Sequence, residues 1–308
     1  MSWDLAHVSL IGAVLVAVPL LYAALGELIT ERVGVMNIGI EGVMSVGAAA
    51  GFIAAVKSHD PAVGLLVGTA VGGLFTLVFF ALPVLVFRTS EILVGFAVWF
   101  IGLGASAQFG QSYAQEPLKA EIPTLKIPLL GAIPGIGDIL FAQPWPYYAA
   151  VLTAVAVWFL LTHTAHGLNL RGVGDDPAAS YGSGVPVLRW QLVYVSLGGA
   201  LMGLGGAVVS VVLTQHWQSG LIAGRGWIAL ALVIFVGWRP LGLLWATYLF
   251  GILLTLEHVG QAEDWAIPAP ILAMPPYLAT VAILIVRGRR GHRLAPAALG
   301  TSFLRGGR

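Results

Sequence analysis

A glutamate and an asparagine stand at the start of a long apolar stretch, residues 37–56, where ionisable side chains are costly. Glu41 lies one helical turn into the stretch and Asn37 one turn earlier, so a helix through both would place them on one face. Gly39 and Gly42 weaken the helix at this level. Interrupted helices inside a membrane are where polar solutes are often bound. We therefore predict that these four residues line or gate a translocation path.

A second interpretation of Glu41 is structural: it pairs with Arg32 or with neighbouring backbone at the membrane edge. Glu27 and Glu31 are four residues apart and precede Arg32, which is typical of a helix end with a local ion pair. Contact of these charges with another protein is the alternative. Glu91 is interpreted as an acidic residue favoured by the dipole at a helix start, with no role in the path.

Motifs for nucleotide hydrolysis, metal binding and acyl transfer are missing from the sequence. The nearest approach to a phosphate-binding loop, Val56-Lys57-Ser58 after Gly51, lacks the second glycine that lets the backbone wrap a phosphate. No His-Glu-x-x-His or Gly-x-Ser-x-Gly occurs, the seven histidines are dispersed, and there is no cysteine. We predict no catalytic residue, no metal site and no cofactor in this chain, which argues against an enzyme.

The composition is that of a membrane protein. Of the 308 residues, 58% are apolar and 9% are charged, whereas an ordinary soluble domain has about 25% charged residues. The mean hydropathy of +0.90 agrees. The net charge of +1 gives no indication of a nucleic-acid partner, and the apolar surface predicts contact with membrane lipid.

Apolar stretches of about 20 residues predict an all-α, polytopic fold with about nine transmembrane helices. The candidate spans are 8–26, 37–56, 62–87, 92–110, 146–163, 190–213, 224–238, 240–257 and 268–287. A turn at 237–240 separates the seventh span from the eighth, and the seventh is short enough for a re-entrant or tilted half-helix. Residues 1–290 are predicted to form one transmembrane domain, followed by a basic tail, 291–308.

The positions of Lys and Arg predict the orientation. With a cytoplasmic C-terminus and an external N-terminus, eleven of the 15 basic residues lie inside and only Lys57, Lys119, Lys126 and Arg225 lie outside. The proline-rich connection 111–145 is then external, and the connection 164–189 is cytoplasmic.

Several glycines are spaced four residues apart, which places them on one helix face. They are Gly47 and Gly51, then Gly64, Gly68 and Gly72, and later Gly199 and Gly203. In lipid this spacing lets two helix backbones approach closely. We predict close helix packing, with sliding of helices during function as the alternative.

Three stretches resemble one family of membrane proteins. Residues 24–42, with Asn-Ile-Gly-Ile-Glu-Gly at 37–42, resemble the segment that opens the second span in permeases of ATP-binding-cassette importers of the nucleoside and simple-sugar type. The glycine-flanked stretch 224–231 and the Pro-Leu-Gly turn at 240–242 resemble later segments of the same proteins. The likeness covers nearly the whole chain, is weakest over 111–145, and identifies a member of the branched-chain amino acid and ribose permease superfamily.

The stretch 170–182 resembles the family's cytoplasmic coupling loop, whose short helix docks on the ATPase. Asp176 can cap a helix that begins at Pro177, where proline loses no hydrogen bond. An ordinary capped loop helix is the alternative. Relatives more often have Glu-Asn at 175–176 and a bulkier residue at 180. The predicted coupling residues are Gly174, Asp175, Asp176, Pro177, Ala178, Ala179, Ser180 and Tyr181.

The resemblance implies a permease subunit of the cytoplasmic membrane that imports a solute delivered by an external, lipid-anchored binding protein. ATP and Mg would act in a separate ATPase, and a second, homologous permease would complete a heterodimer. The implied solute is a nucleoside, with simple sugars and riboflavin as alternatives. Some of the tryptophans, expected mainly as interfacial anchors, are candidates to stack on a base. A transporter driven by H⁺ or Na⁺, or a structural membrane protein, are the alternatives from other classes.

Overall fold

The computed structural model describes residues 3–133, 135, 137–263, 265, 267–272, 274–288 and 295–300. The predicted tail, 291–308, lies outside the described residues except for 295–300. The helices are α1 Trp3–Arg32, α2 Ile40–Ser58, α3 Pro61–Thr76 with a π-helical continuation Leu77–Val86, α4 Glu91–Gly110, α5 Gly137–Leu140, α6 Trp145–His163, α7 Ala165–Asp175, α8 Pro177–Gly182, α9 Val187–Val208 with a π-helical continuation Val209–Leu213, α10 Arg225–Val236, α11 Pro240–Ala262, α12 Ala269–Leu272 and α13 Pro275–Gly288.

Seven helices among the described residues are long and apolar enough to cross a membrane, which confirms a helical, polytopic fold. They are Ser9–Arg32, Ile40–Ser58, Pro61–Val86, Glu91–Tyr113, Trp145–His163, Val187–Leu213 and Pro240–Gln261. Two of the nine predicted spans correspond to shorter apolar stretches: α10, Arg225–Val236, and Pro270–Ala282, which includes parts of α12 and α13. The 12 residues of α10 cover about 18 Å, less than the ~30 Å hydrocarbon core. This helix is therefore a half-helix, as its length in the sequence indicates.

The break before α11 lies where the sequence predicts it. Gly237 has left-handed backbone angles, φ 65° and ψ 50°, and the Trp238 N–H donates to the Val233 carbonyl at 3.2 Å. These contacts close the last turn of α10 in the manner of a glycine C-cap. Pro240 then starts α11 at the first helical position, where the missing N–H costs nothing.

The core is a bundle in which α1, α2, α3 and α9 meet, with α11 on α1 and α4 on α2. Glycines bring the backbones together, as their spacing predicts. A Cβ on Gly47 or on Gly72 would lie 2.5 Å from the Cα of Gly203, and one on Gly64 would lie 2.6 Å from the Gly51 carbonyl oxygen. Because no real side chain fits at such distances, these positions hold α2 and α3 tightly against α9 and against each other.

The connection 111–145 is irregular, as its prolines predict, but it has its own small structure. Strands β1 Thr124–Lys126 and β2 Ala142–Pro144 pair antiparallel, with Leu125 opposite Gln143. The hydroxyl of Tyr148 donates to the Leu125 carbonyl at 3.1 Å and accepts the Gln143 N–H at 3.1 Å. The strand pair is therefore tied to the first turn of α6.

Candidate functional site

Glu41 binds the start of the short helix α10. Its side chain lies in the first turn of α2 and is 5% exposed. One carboxylate oxygen accepts the N–H of Gly224 at 2.7 Å, and the other accepts the N–H of Gly226 at 2.7 Å. The first N–H groups of a helix have no partner inside it, and the helix dipole favours a negative charge at that end. We call this contact between Glu41, Gly224 and Gly226 the Glu41 clamp.

The two glycines of the clamp are required for different reasons. Gly224 has φ +82°, a conformation that L side chains rarely adopt. A Cβ on Gly226 would lie 2.6 Å from both the Cα and the N of Glu41. The sequence shows these two glycines as a motif but not their partner, which lies 183 and 185 residues earlier in the chain. Glu41 therefore pairs with backbone, as the structural interpretation allows, although this backbone is distant in the sequence and Arg32 is not the partner. A role of Glu41 on a solute path stays a prediction.

Asn37 lies before α2 and not within it. Its side-chain oxygen accepts the N–H of Gly39 at 2.9 Å, and its own N–H donates to Glu27 at 2.9 Å. The side chain is buried. The prediction of a helix from residue 37, and with it the shared helical face of Asn37 and Glu41, is therefore wrong. Asn37 closes the turn that leads into α2, and its place on a solute path stays a prediction.

Gly39 and Gly42 are contact points for α4. A Cβ on Gly39 would lie 2.7 Å from Cγ1 of Val98, and one on Gly42 would lie 2.7 Å from the Cα of Trp99. Small residues therefore let α4 pack directly against the first turns of α2. This packing holds α4 beside the Glu41 clamp, and a role of the two glycines in a path stays a prediction.

The stretch 174–181 forms the capped helix that the sequence predicts. Asp176 accepts the Ala179 N–H at 2.9 Å, and Pro177 is the first residue of α8. No residue of α8 is buried. Gly174, one residue from the end of α7, is buried against the backbone of Arg32 and Gly34. The helix α8 thus follows the last turn of α7, which contacts the end of α1.

A family model for the permease component of branched-chain amino acid transport systems matches residues 9–285. The chain belongs to this family. Three relatives match it over nearly their whole length. A putative glucose ABC transporter permease of Haloferax volcanii is 34% identical and covers 94% of this chain and 95% of its own. A guanosine ABC transporter permease of Bacillus subtilis is 34% identical (95% and 95%), and a nucleoside ABC transporter permease of Lactococcus lactis is 31% identical (93% and 93%).

These three organisms each have a second permease that resembles this chain and is named for the same solute as the first. The second proteins are 25 to 29% identical to it. No solved structure matches the chain. The comparisons confirm the predicted permease subunit of an ATP-binding-cassette importer, a multi-pass membrane protein and not an enzyme. Such an importer also contains a separate ATPase and a solute-binding protein.

Two further glutamates of the permease hold the turn between α1 and α2. Glu27, buried in α1, accepts the Asn37 N–H, and Glu91 at the start of α4 accepts the Met36 N–H at 3.0 Å. The sequence predicts Glu91 only as a favourable charge at a helix start. The structure gives it a partner in another segment, because the turn at 33–39 has backbone N–H groups that no helix satisfies.

Trp238 connects the end of α1 to the start of α11. Its indole N–H donates to the Glu31 carboxylate, and its carbonyl accepts a hydrogen bond from Arg32 at 2.8 Å. The sequence predicts a local ion pair at this helix end. In the structure both charged residues bind Trp238, 206 and 207 residues away in the chain.

An aromatic cluster lies beside the Glu41 clamp of the permease. The rings of Trp99 and Trp227 meet edge to face, with centroids 5.2 Å apart, and Phe96 lies 6.2 and 6.3 Å from them. Trp227 follows Gly226, and Trp99 packs on Gly42. Of the tryptophans noted in the sequence, these two are therefore the ones next to the clamp. Among the described residues, no group of three or more His, Asp or Glu side chains is placed to hold a metal ion.

Proposed function

We propose that this permease carries a nucleoside across the cytoplasmic membrane and that the Glu41 clamp is part of its gate. The clamp carries the proposal, because it is a polar contact that joins the first turn of a full span to the start of a half-helix. Breaking it would take the acceptor from the N–H groups of Gly224 and Gly226 and release the start of α10, while α1, α11 and α13 still contact the rest of that helix. The proposed topology has nine membrane segments, two of them short, with the N-terminus outside. Residues 1–290 form the transmembrane domain, and 291–308 extend into the cytoplasm.

A continuous set of contacts supports coupling between ATP hydrolysis and this gate. In the proposed cycle the ATPase, with ATP and Mg, docks on α8 and moves α7. Gly174 then passes the movement to the backbone after Arg32, since the two are in direct contact. The turn 33–39 leads into α2, whose first turn holds Glu41. Docking would thus reach the Glu41 clamp through packed backbone alone.

A nucleoside is favoured as the solute on two grounds. Two relatives at 31 and 34% identity are named for nucleosides and guanosine. The cluster of Phe96, Trp99 and Trp227 offers flat apolar rings beside polar groups, which suits a base joined to a sugar. A simple sugar is the second candidate, because another relative at 34% identity is named for glucose.

The proposed assembly contains two different permeases. The second permease in each of three organisms supports this, because this chain resembles the first member of each pair more closely. The partner of this chain would resemble the second member. An ATPase and a lipid-anchored external binding protein complete the proposed importer.

Uptake by the reconstituted importer tests this function. The complex of both permeases, the ATPase and the binding protein is placed in liposomes, and uptake of labelled guanosine and glucose is measured with and without internal ATP. ATP-dependent guanosine uptake that exceeds glucose uptake is expected. Glucose uptake alone would reassign the solute, and equal uptake without ATP but with an ion gradient would refute the ATP-driven mechanism.

A further inference from the structure

A cavity of about 540 Å³ lies on the side of the permease where α8 projects. The ends of three membrane helices border it: α1 ends at Arg32, α6 ends after Thr162, and α11 begins at Pro240. All three ends therefore lie at one edge of the apolar region. The cavity is distinct from the Glu41 clamp and from α8 itself.

Among the described residues, three guanidinium groups line this cavity, and no carboxylate does. They belong to Arg32, Arg171 and Arg239, from three different segments. Arg32 donates to the Trp238 carbonyl, but its Nε is buried and has no hydrogen-bond partner. Arg171 makes one long contact, 3.4 Å, to the Gly167 carbonyl, and Arg239 is exposed. Three like charges in one cavity repel one another unless an anion joins them.

Nearby carboxylates offset the charge of Arg32 in part but do not line the cavity. Glu31 and Asp175 act electrostatically on Arg32, but both lie outside the cavity wall. Glu31 is already bound to the Trp238 indole, and Asp175 faces solvent. Arg171 and Arg239 thus have no acidic partner in the cavity wall. A phosphate group has the charge and the several oxygen acceptors that a set of guanidinium groups binds well.

The rest of the wall indicates that this phosphate belongs to a lipid. Trp158 and Trp245 line the apolar side of the cavity, and Trp245 is 79% exposed. Tryptophan at the end of a span is typical of the level of the lipid headgroups. Basic pockets between membrane helices are known to bind acidic headgroups. A lipid phosphate would reach the arginines while its chains lie along the exposed face of α11.

We propose that the cavity formed by Arg32, Arg171 and Arg239 binds the phosphate of an anionic phospholipid. The bound lipid would tie α7, which carries Arg171, to the ends of α1 and α11. Because α8 follows α7 directly, the bound lipid would also limit the movement of the segment that carries α8. This site does not depend on which solute the permease carries.

The test is lipid binding by the purified full-length chain in a neutral detergent. Phosphatidylglycerol, phosphatidylcholine and inorganic phosphate are titrated separately, and retained lipid is counted by native mass spectrometry. The variant Arg171→Gln with Arg239→Gln should bind phosphatidylglycerol at least about tenfold more weakly. The matched control is Arg88→Gln with Arg189→Gln, which removes two exposed charges from a different cavity near α8. It should bind as the unchanged chain does.

Several results would overturn the proposal. Equal binding of phosphatidylcholine would mean that the charges are irrelevant, and equal loss in the control would mean general surface attraction. Binding of inorganic phosphate as tight as that of the lipid would assign the cavity to a free anion. Loss of ATPase co-purification with unchanged lipid binding would assign it to the ATPase. If the double variant does not fold, Arg239→Gln alone replaces it, since that side chain is exposed.

Discussion

Replacing Glu41 by Gln should release the start of α10. Glutamine keeps one acceptor oxygen and turns an NH₂ group toward the second N–H of the clamp. One hydrogen bond to a charged group is then lost, worth roughly 1.5–3 kcal/mol, and a buried N–H is left without an acceptor. Since these two effects overlap, we take about 3 kcal/mol for the change, which shifts the equilibrium between closed and open clamp by roughly 100-fold.

Cysteine labelling measures this shift directly, because the permease has no cysteine of its own. Ile222 lies two residues before Gly224 and is 1% exposed, so Ile222→Cys reports opening of the clamp. Ala223→Cys, at an exposed neighbouring position, serves as the accessible reference. A water-soluble maleimide should label Ile222→Cys up to about 100-fold faster when Glu41→Gln is added, and Ala223→Cys at an unchanged rate.

Measurements of solute uptake test the functional consequence of the same substitution. Glu41→Gln should reduce ATP-dependent uptake at least about tenfold, while the importer still assembles. Glu121→Gln, which alters an exposed glutamate in the connection 111–145, is the matched control and should transport normally. Normal uptake and unchanged labelling of Ile222→Cys in Glu41→Gln would refute a gating role for the clamp.

Three further variants test the packing around these sites. Gly226→Ala should lower uptake, because its Cβ would collide with Glu41, whereas Gly104→Ala, which has open space around it, should leave uptake unchanged. Gly203→Ala should cost about 1–3 kcal/mol through overpacking of α2 and α3 against α9, measured as a lower midpoint of thermal unfolding. An unchanged midpoint would show that this junction is not tightly packed. Asp176→Ala should remove about 1 kcal/mol of cap stability from α8 and weaken ATPase co-purification. Asp176→Asn should retain both, because asparagine can also cap a helix. An equal loss with asparagine would contradict the capping role.

The features that the sequence predicts well depend on neighbours in the chain. Asp176 and Pro177 specify the start of α8 within a few residues, and the break at Gly237 depends on local backbone geometry. The glycine faces of α2, α3 and α9 can be predicted from the spacing within each helix. That spacing does not show which faces contact each other. The half-helix α10 can also be predicted locally, from the length of its apolar stretch alone.

The candidate site is harder to predict because its contacts join distant segments. Nothing near Glu41 indicates Gly224 or Gly226 as partners, and nothing near Glu31 indicates Trp238. For Asn37 the error has a local cause. Two residues share a helical face only where both lie in the helix, and the side chain of Asn37 instead closes the turn before α2.

The long separation within the Glu41 clamp has a consequence for how the protein is made. Glu41 is synthesised 183 residues before Gly224, so α2 is already in the membrane when α10 leaves the ribosome. With 12 residues the new helix is shorter than a full span, and the N–H groups of Gly224 and Gly226 at its start find their acceptor on α2. The earlier helices therefore serve as the surface on which the part of the chain from α10 onward packs. A substitution in α2 that blocks the packing of α10 would thus act on a segment that has not yet been translated.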